Sequence, residues 1–397
     1  MFDKIVLLSQ GQTMFHGTSA EALIHFDKTL KFPCPLRFNP CDHYLSVLNT
    51  DFSSDPAAAR NKVAGYAKLF RDSDIAALLL KELKEIEQNP GKALSTDGFA
   101  LGHIRQIGIL TERAYKNAGK NLLMYWIRAA MFFCMAILMG TTFYDVGTLQ
   151  SEIQDRFSAH FFAVAFLCFM SVASIPGIIE EKQVLDREVM NGAYPVSSFV
   201  ISNILVSAPF VLLMTLIFTV IAYPLIMFQS GIEHVLVYIL FLFLSIYTME
   251  CIVTVIACTA PIFVVALAVS AFLNGFFMCV QGYFVRLSSL PLFWRYWAHY
   301  WSYQTYAFEA LVKNDFDGLT FSCGKGVGHG IGGTQCFCQY QGALNSQCQF
   351  SGQDVLRDFD YNDVSLVNWA LVLIGQIIIY RIIMYLVLKW KTKEITF

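Results

Sequence analysis

Six ionisable residues crowd the nine positions 180–188: Glu180, Glu181, Lys182, Asp186, Arg187 and Glu188. Apolar sequence runs up to Ile179 and resumes near Phe199. The chemistry open to such a cluster is ionic. Its charges cannot stay in hydrocarbon, so the stretch must lie in water or against a soluble partner. A bilayer core of about 30 Å needs roughly twenty apolar residues in a helix, and each flank can supply that length. The pattern reads as two membrane helices joined by a polar, helical loop that can receive a push from outside the bilayer. The plainer reading is an ordinary connecting loop.

The elements that must position this cluster follow from composition and hydropathy. Hydrophobic residues make up 56% of the 397 and charged ones 15%, with 35 Phe and a mean hydropathy of +0.51. About a quarter of a soluble domain is charged, so this composition belongs to an integral membrane protein. A net charge of −2 offers no support for nucleic-acid binding. Apolar spans are predicted at 121–144, 157–179, 199–223, 235–260, 262–285 and 366–390. The fourth and fifth are separated at Pro261, because their joint length is too great for one crossing.

Residues before the spans differ in character. Residues 5–8 and 13–15 read as strands of a hairpin around Ser9-Gln10-Gly11-Gln12. Pro33-Cys34-Pro35 and Asn39-Pro40 punctuate a loop, and 55–88 reads as soluble helix ending at Asn89-Pro90-Gly91. This part is too small for a convincing core of its own and reads as the end of a larger cytosolic domain. From 101 to 120 an amphipathic basic helix interleaves Arg105, Arg113, Lys116 and Lys120 with Ile104, Ile107, Leu110 and Tyr115. It suits the inner membrane interface, with a solvated linker helix as the plainer alternative.

Basic residues flank both ends of the six spans: Arg113, Lys116 and Lys120 before, Lys389, Lys391 and Lys393 after. Six crossings and the positive-inside rule put both termini in the cytoplasm. The cluster at 180–188 is then cytoplasmic, and 286–364 lies outside. That outer segment holds Cys323, Cys336, Cys338 and Cys348, for which disulfides are the natural reading in an oxidising setting. Three pairings are open, as is an interchain bridge. Zinc is the weaker alternative, since no second close Cys pair accompanies Cys336 and Cys338. The other cysteines read as small packing residues. Glu250 and Arg381 sit deepest in the predicted spans, where ionisable groups face a partner or water; Arg381 can also snorkel to the cytoplasmic face.

Several motifs then carry a resemblance. Phe2-Asp3-Lys4-Ile5-Val6-Leu7-Leu8 with Gly11 and Phe15-His16-Gly17 forms one, and Asn39-Pro40-Cys41-Asp42-His43-Tyr44 a second. Arg187-Glu188 through Gly192-Ala193-Tyr194-Pro195-Val196-Ser197-Ser198 forms a third. Tyr303, Tyr306, Glu309, Leu311, Asn314, Phe316 and Gly318 form the fourth. With the span order, they resemble the G subfamily of ATP-binding cassette transporters, the white/pleiotropic drug resistance type. Cys41 stands where that family usually has Ala in its N-P-A-D-[FY] linker.

The resemblance implies an all-α integral membrane fold, a six-span ABC-2 type (type V exporter-like) transmembrane domain behind a small α/β remnant of a nucleotide-binding domain. Residues 1–52 would be the remnant, 53–100 a cytosolic linker and 101–397 the transmembrane domain. It implies a permease for hydrophobic small molecules or lipids in the plasma membrane, working with a second transmembrane half, as homo- or heterodimer. Glu181, Arg187 and Glu188 would couple to the motor and the basic helix. Phe166 and Phe169 would clamp cargo, Asn274, Gly275 and Met278 would line its path, and Tyr283 and Phe284 would plug it. Glu309 would sit in an outer polar pocket.

The departure from the family lies in its ATPase. No G-x-x-x-x-G-K-[ST] loop, signature Ser-Gly-Gly or Asp-Glu pair occurs in these residues, and Gly324-Lys325-Gly326 is no substitute. The expectation is a permease part without ATP hydrolysis of its own, ATP and magnesium acting through nucleotide-binding domains outside it. A motor-less scaffold or dominant-negative dimer partner is the competing reading, and the absence of charge rings disfavours a passive channel.

Overall fold

The structure, a computed structural model, describes residues 3–51, 55–89, 99, 101–120, 125–327 and 334–395. Phe2, Pro90, Gly91 and residues 121–124 of the expected first span lie outside the described residues. The chain forms two units, Met1–Gly98 and Phe99–Phe397.

In the first unit, β1 (Ile5–Ser9) and β2 (Gln12–Gly17) pair antiparallel around Gln10 and Gly11. Both turn residues have positive φ, 49° and 73°, as a two-residue type I′ hairpin turn requires. Four helices follow: α1 (Ser19–Ile24), α2 (Pro40–Leu48), α3 (Pro56–Arg71) and α4 (Asp74–Gln88). Their starts are set by side chains that accept from otherwise orphaned backbone N–H groups: Thr18, Asn39, Asp55 and Ser73. Val63, Tyr66, Ala67 and Phe70 of α3 share one buried core with Met14, Phe15, Phe26 and Tyr44. Helix α3, within the stretch expected to be a linker, packs into the core of what precedes it.

The second unit opens with α5 (His103–Lys120), α6 (Ile127–Thr142) and α7 (Ile153–Phe169). A 3₁₀ turn, Met170–Ser174, leads from α7 into α8 (Ile175–Met190). Then come α9 (Val196–Ile226), α10 (Ile232–Thr259), α11 (Phe263–Val280), the single turn α12 (Leu292–Trp294), α13 (Tyr303–Phe316), α14 (Gly352–Asp358) and α15 (Leu366–Ile395). Five helical stretches among the described residues are long and apolar enough to cross a membrane: Gln150–Met190, Val196–Ile226, Ile232–Thr259, Phe263–Val280 and Leu366–Thr392. The 16-residue α6 is a shorter apolar helix.

The charged stretch 180–188 is no loop. It forms the end of a helical run that starts at Gln150, with Pro176 tolerated in the first turn of α8. Through the 3₁₀ turn the charged stretch is helically continuous with α7.

Helix α10 is the centre of the unit, touching α7, α8, α9, α11, α13 and α15. It is apolar on every side, which suits a helix enclosed by others. Its Thr248 and Thr254 hydroxyls donate to the carbonyls four residues back, at 2.7 Å each, and so carry no unmet polarity. Helix α13 is almost wholly buried despite Gln304, Glu309, Asn314 and Asp315. Asn314 Nδ2 donates to the His234 carbonyl at 2.9 Å, and the partners of the other three are described below.

The expected loop-rich segment 286–364 folds around small ladders. β3 (Thr320–Ser322) pairs with β6 (Gln349–Ser351), and β4 (Gly324–Val327) with β5 (Thr334–Phe337). Phe316, Phe321 and Phe350 stack in series beneath them. Gly282 enters this layer at φ 111°, and a Cβ there would stand 3.0 Å from the Tyr361 hydroxyl, so both backbone and space demand glycine.

Candidate coupling and transport site

Helix α5 lies along α9 through paired polar groups. His103 meets Ser197 at 2.8 Å, Ser198 donates to Gln106 at 2.9 Å, and the Tyr115 hydroxyl donates to the Leu205 carbonyl at 3.1 Å. At its middle, Arg113 Nη1 donates to Glu188 Oε1 at 2.5 Å, and Tyr194 donates to the other Glu188 oxygen. The hydrogen bond that Arg113 donates to Glu188 pushes the Arg113 pKa above its ordinary value. With both partners part-exposed, the pair adds about 0–1 kcal/mol of stability. Its consequence is geometric: the end of α8, the basic helix and the entry to α9 meet at one carboxylate.

Of the expected coupling residues, Glu188 stands in this junction, Arg187 is exposed, and Glu181 is half-buried. Glu181 and Glu180 line a cavity of about 730 Å³ with Arg113, Asn117, Lys120 and Tyr125. Ile104, expected on the apolar face, is largely exposed, whereas Leu110 is buried.

Deeper in the unit, the intramembrane charges are neutralised or bonded inside. Arg128 Nη1 and Nη2 donate to Glu250 Oε1 and Oε2 at 3.1 and 2.8 Å, both side chains being buried. Arg381 does not snorkel. Its Nη1 donates to Asn203 Oδ1 at 2.6 Å, and its Nη2 to Ser207 at 3.0 Å and Tyr247 at 2.7 Å. Glu309 accepts from the Trp369 indole at 2.9 Å and lies 3.5 Å from His299, in a buried polar pocket.

A further buried cluster was not anticipated. Arg156 Nη1 reaches both oxygens of Asp315 at 3.0 and 2.9 Å, and His160 Nε2 lies 3.2 Å from one of them. Gln229 N donates to Asp315 at 2.9 Å, and Arg156 also donates to the carbonyls of Val146, Gly147 and Met227. One carboxylate thus joins α7, α13 and the turn between α9 and α10.

The expected transport residues divide. Phe166 and Phe169 on α7 are exposed; Gly275 and Met278 on α11 are half-exposed. A Cβ at Gly275 would meet nothing within 4 Å. Asn274 is wholly buried, its Oδ1 accepting from Tyr303 and Gln304 at 2.9 Å each. The side chain ties α11 to α13. Helix α11 turns Ala266, Ser270, Asn274 and Phe277 inward and leaves most other positions open, so Asn274 falls on the inward stripe. Tyr283 stacks on Phe161 with ring centroids 4.4 Å apart, and its hydroxyl bonds Ser158 at 2.7 Å and Gln154 at 3.1 Å. Phe284 meets Phe161 edge-on at 5.0 Å and is otherwise exposed.

The four cysteines form two disulfides, Cys323–Cys338 and Cys336–Cys348. Cys168, Cys251 and Cys258 are buried packing residues, whereas Cys41, Cys134 and Cys279 are exposed. No cluster able to hold a metal ion occurs among the described residues.

Comparison with known proteins agrees with this architecture. The family model of the ABC-2 type transporters matches residues 105–316. ABC transporter G family member 1 of Petunia hybrida is 31% identical over 98% of this chain and 59% of its own length. ABC transporter G family member 11 of Arabidopsis thaliana is 31% identical over 98% of this chain and 56% of its own. The broad substrate specificity ATP-binding cassette transporter ABCG2 of Sus scrofa is 25% identical, over 94% of this chain and 57% of its own. The chain spans somewhat over half the length of these relatives. It is a membrane protein and belongs to the ABC-2 type transporters, carrying a transmembrane domain of the ATP-binding cassette G family.

Proposed function

We propose that this chain is the permease part of an ATP-driven exporter of hydrophobic small molecules or lipids. Nucleotide-binding domains beyond these 397 residues supply ATP, magnesium and hydrolysis. The observation that carries the reading is the Arg113–Glu188–Tyr194 junction at the tip of the helical run Gln150–Met190. A motor closing beneath that tip would move α7, and with it Phe166 and Phe169, relative to α11.

The short α6 counts as the first of six crossings in this reading. Both termini then lie in the cytoplasm and the two disulfides outside, with the plasma membrane as site of action. Exposed faces of α7 and α11 support a cargo slot shared with a second transmembrane half, identical or related. Gly275 leaves room there, Phe166 and Phe284 offer flat apolar faces, and Met278 adds a flexible apolar contact.

The test is ATP-dependent uptake of a hydrophobic fluorescent dye into inside-out vesicles. They carry this chain together with a G-family nucleotide-binding domain, fused ahead of it or on a partner half. Uptake above that of vesicles without the chain supports the permease reading. No uptake, with intact dimers in the membrane, would favour a scaffold.

A further inference from the structure

Helices α9 and α15 diverge over α10 and leave a groove of about 470 Å³. Its walls include Val200 and Ile204 of α9 and Ile378 and Ile382 of α15, and its floor includes Tyr247 and Arg381. Apart from that floor, Ser197 and Tyr385, its lining is hydrocarbon, and it lies apart from the α7 and α11 faces assigned to cargo.

The charge on the floor lies over the Tyr247 ring and is bonded by no carboxylate. A guanidinium stays protonated in any protein environment. Asn203, Ser207, Tyr247 and the Met384 sulfur, which bond Arg381, are all neutral. The buried carboxylate on α10, Glu250, gives both oxygens to Arg128. The Nε of Arg381, itself buried, has no hydrogen-bond partner among the described residues. A buried cation bonded only to neutral groups is costly, and an acid brought beside it relieves that cost.

We propose that this groove binds a long-chain carboxylate from the surrounding bilayer, its chain along the Ile and Val walls and its acid group against Arg381. Depth selects this occupant. Arg381 lies ten residues before Lys391, about 15 Å along the helix, and Lys391 donates to the Thr259 carbonyl at the end of α10. A phospholipid headgroup would have to be drawn that far from the interface, whereas a lone carboxylate is small enough to follow its own chain inward. A sterol hydroxyl would leave the positive charge uncompensated.

The experiment uses the purified chain in phosphatidylcholine nanodiscs with a diazirine-bearing C16 acid, compared with the methyl ester of the same probe. The acid should label α9 and α15 groove residues about tenfold more than the ester, a difference of about 1.4 kcal/mol in binding. Ile378→Trp, which fills the slot and leaves Arg381 in place, should abolish the labelling. Equal labelling by the ester would overturn the proposal, as would acid labelling that survives Ile378→Trp. Displacement of the acid by phosphatidylserine or by sterol would reassign the groove to that lipid. Arg381→Gln should remove the preference for acid over ester, and the wild-type comparison stands even if that variant folds poorly.

Discussion

Arg128 on α6 and Glu250 on α10 form a two-pronged ion pair between residues 122 apart in sequence, with both side chains sealed from solvent. Neither charge tolerates that environment alone. Glu250→Gln should destabilise the unit by about 3–5 kcal/mol, because it strands the guanidinium. The double variant Arg128→Met, Glu250→Leu should recover most of the loss. Thermal unfolding in detergent checks both, and a single variant as stable as wild type would contradict the pairing.

Asp315 answers two basic side chains and a backbone N–H. Asp315→Asn should therefore cost about 3–5 kcal/mol as well, by leaving Arg156 buried without an anion. Since the cluster joins α7, α13 and the turn after α9, faster protease cleavage within 320–360 should accompany the lower unfolding temperature. Unchanged cleavage would confine the cluster's effect to the helices.

The disulfide pattern can be read directly. Tryptic cleavage at Lys325 with chymotryptic cleavage at Phe337 and Tyr340 puts the four cysteines on separate peptides, so non-reduced digests should contain one peptide pair joining Cys323 to Cys338 and another joining Cys336 to Cys348. The bridges close loops of 15 and 12 residues. Each should stabilise the segment by about 3 kcal/mol. Removing Cys323 and Cys338 together should leave the second bridge intact.

In the first unit His25 is buried against Phe15, Phe26 and Phe70, and neither ring nitrogen has a partner among the described residues. Burial lowers its pKa below the ordinary value. The unfolded chain, with the ordinary pKa, takes up a proton first as pH falls, so folding weakens through and below about pH 6.5 and is unaffected above it. Proteolysis of residues 1–98 should accelerate between pH 7.5 and 5.5 in wild type, and less so in His25→Phe.

Much of this was legible in the sequence, because local rules govern it. The apolar runs placed four of the five long apolar helices to within about five residues and missed the length of the fifth, Gln150–Met190, because its charged end is helical too; Ser9-Gln10-Gly11-Gln12 marked the hairpin. The cysteines marked a bridged segment, though not its pairing, which depends on how two ladders meet. Arg128 could have been found, since it lies within the predicted span 121–144, where a charge demands a partner. Asp315 sat between two motif residues, Asn314 and Phe316, and its partners lie 155 and 159 residues away. Only tertiary packing brings them together. Asn274 came from the resemblance alone, and its bonds to Tyr303 and Gln304 depend on helix phase and packing.

The central claim is that the tip of the span-two helix carries the motor's stroke through Glu188. ATP-dependent dye uptake by the chain with its nucleotide-binding domain should fall about tenfold in Glu188→Arg, while the protein still reaches the membrane and hydrolyses ATP. The swap Arg113→Glu with Glu188→Arg should restore most of the uptake. Uptake that persists in Glu188→Arg, or fails to return in the swap despite normal folding, would contradict coupling through this junction.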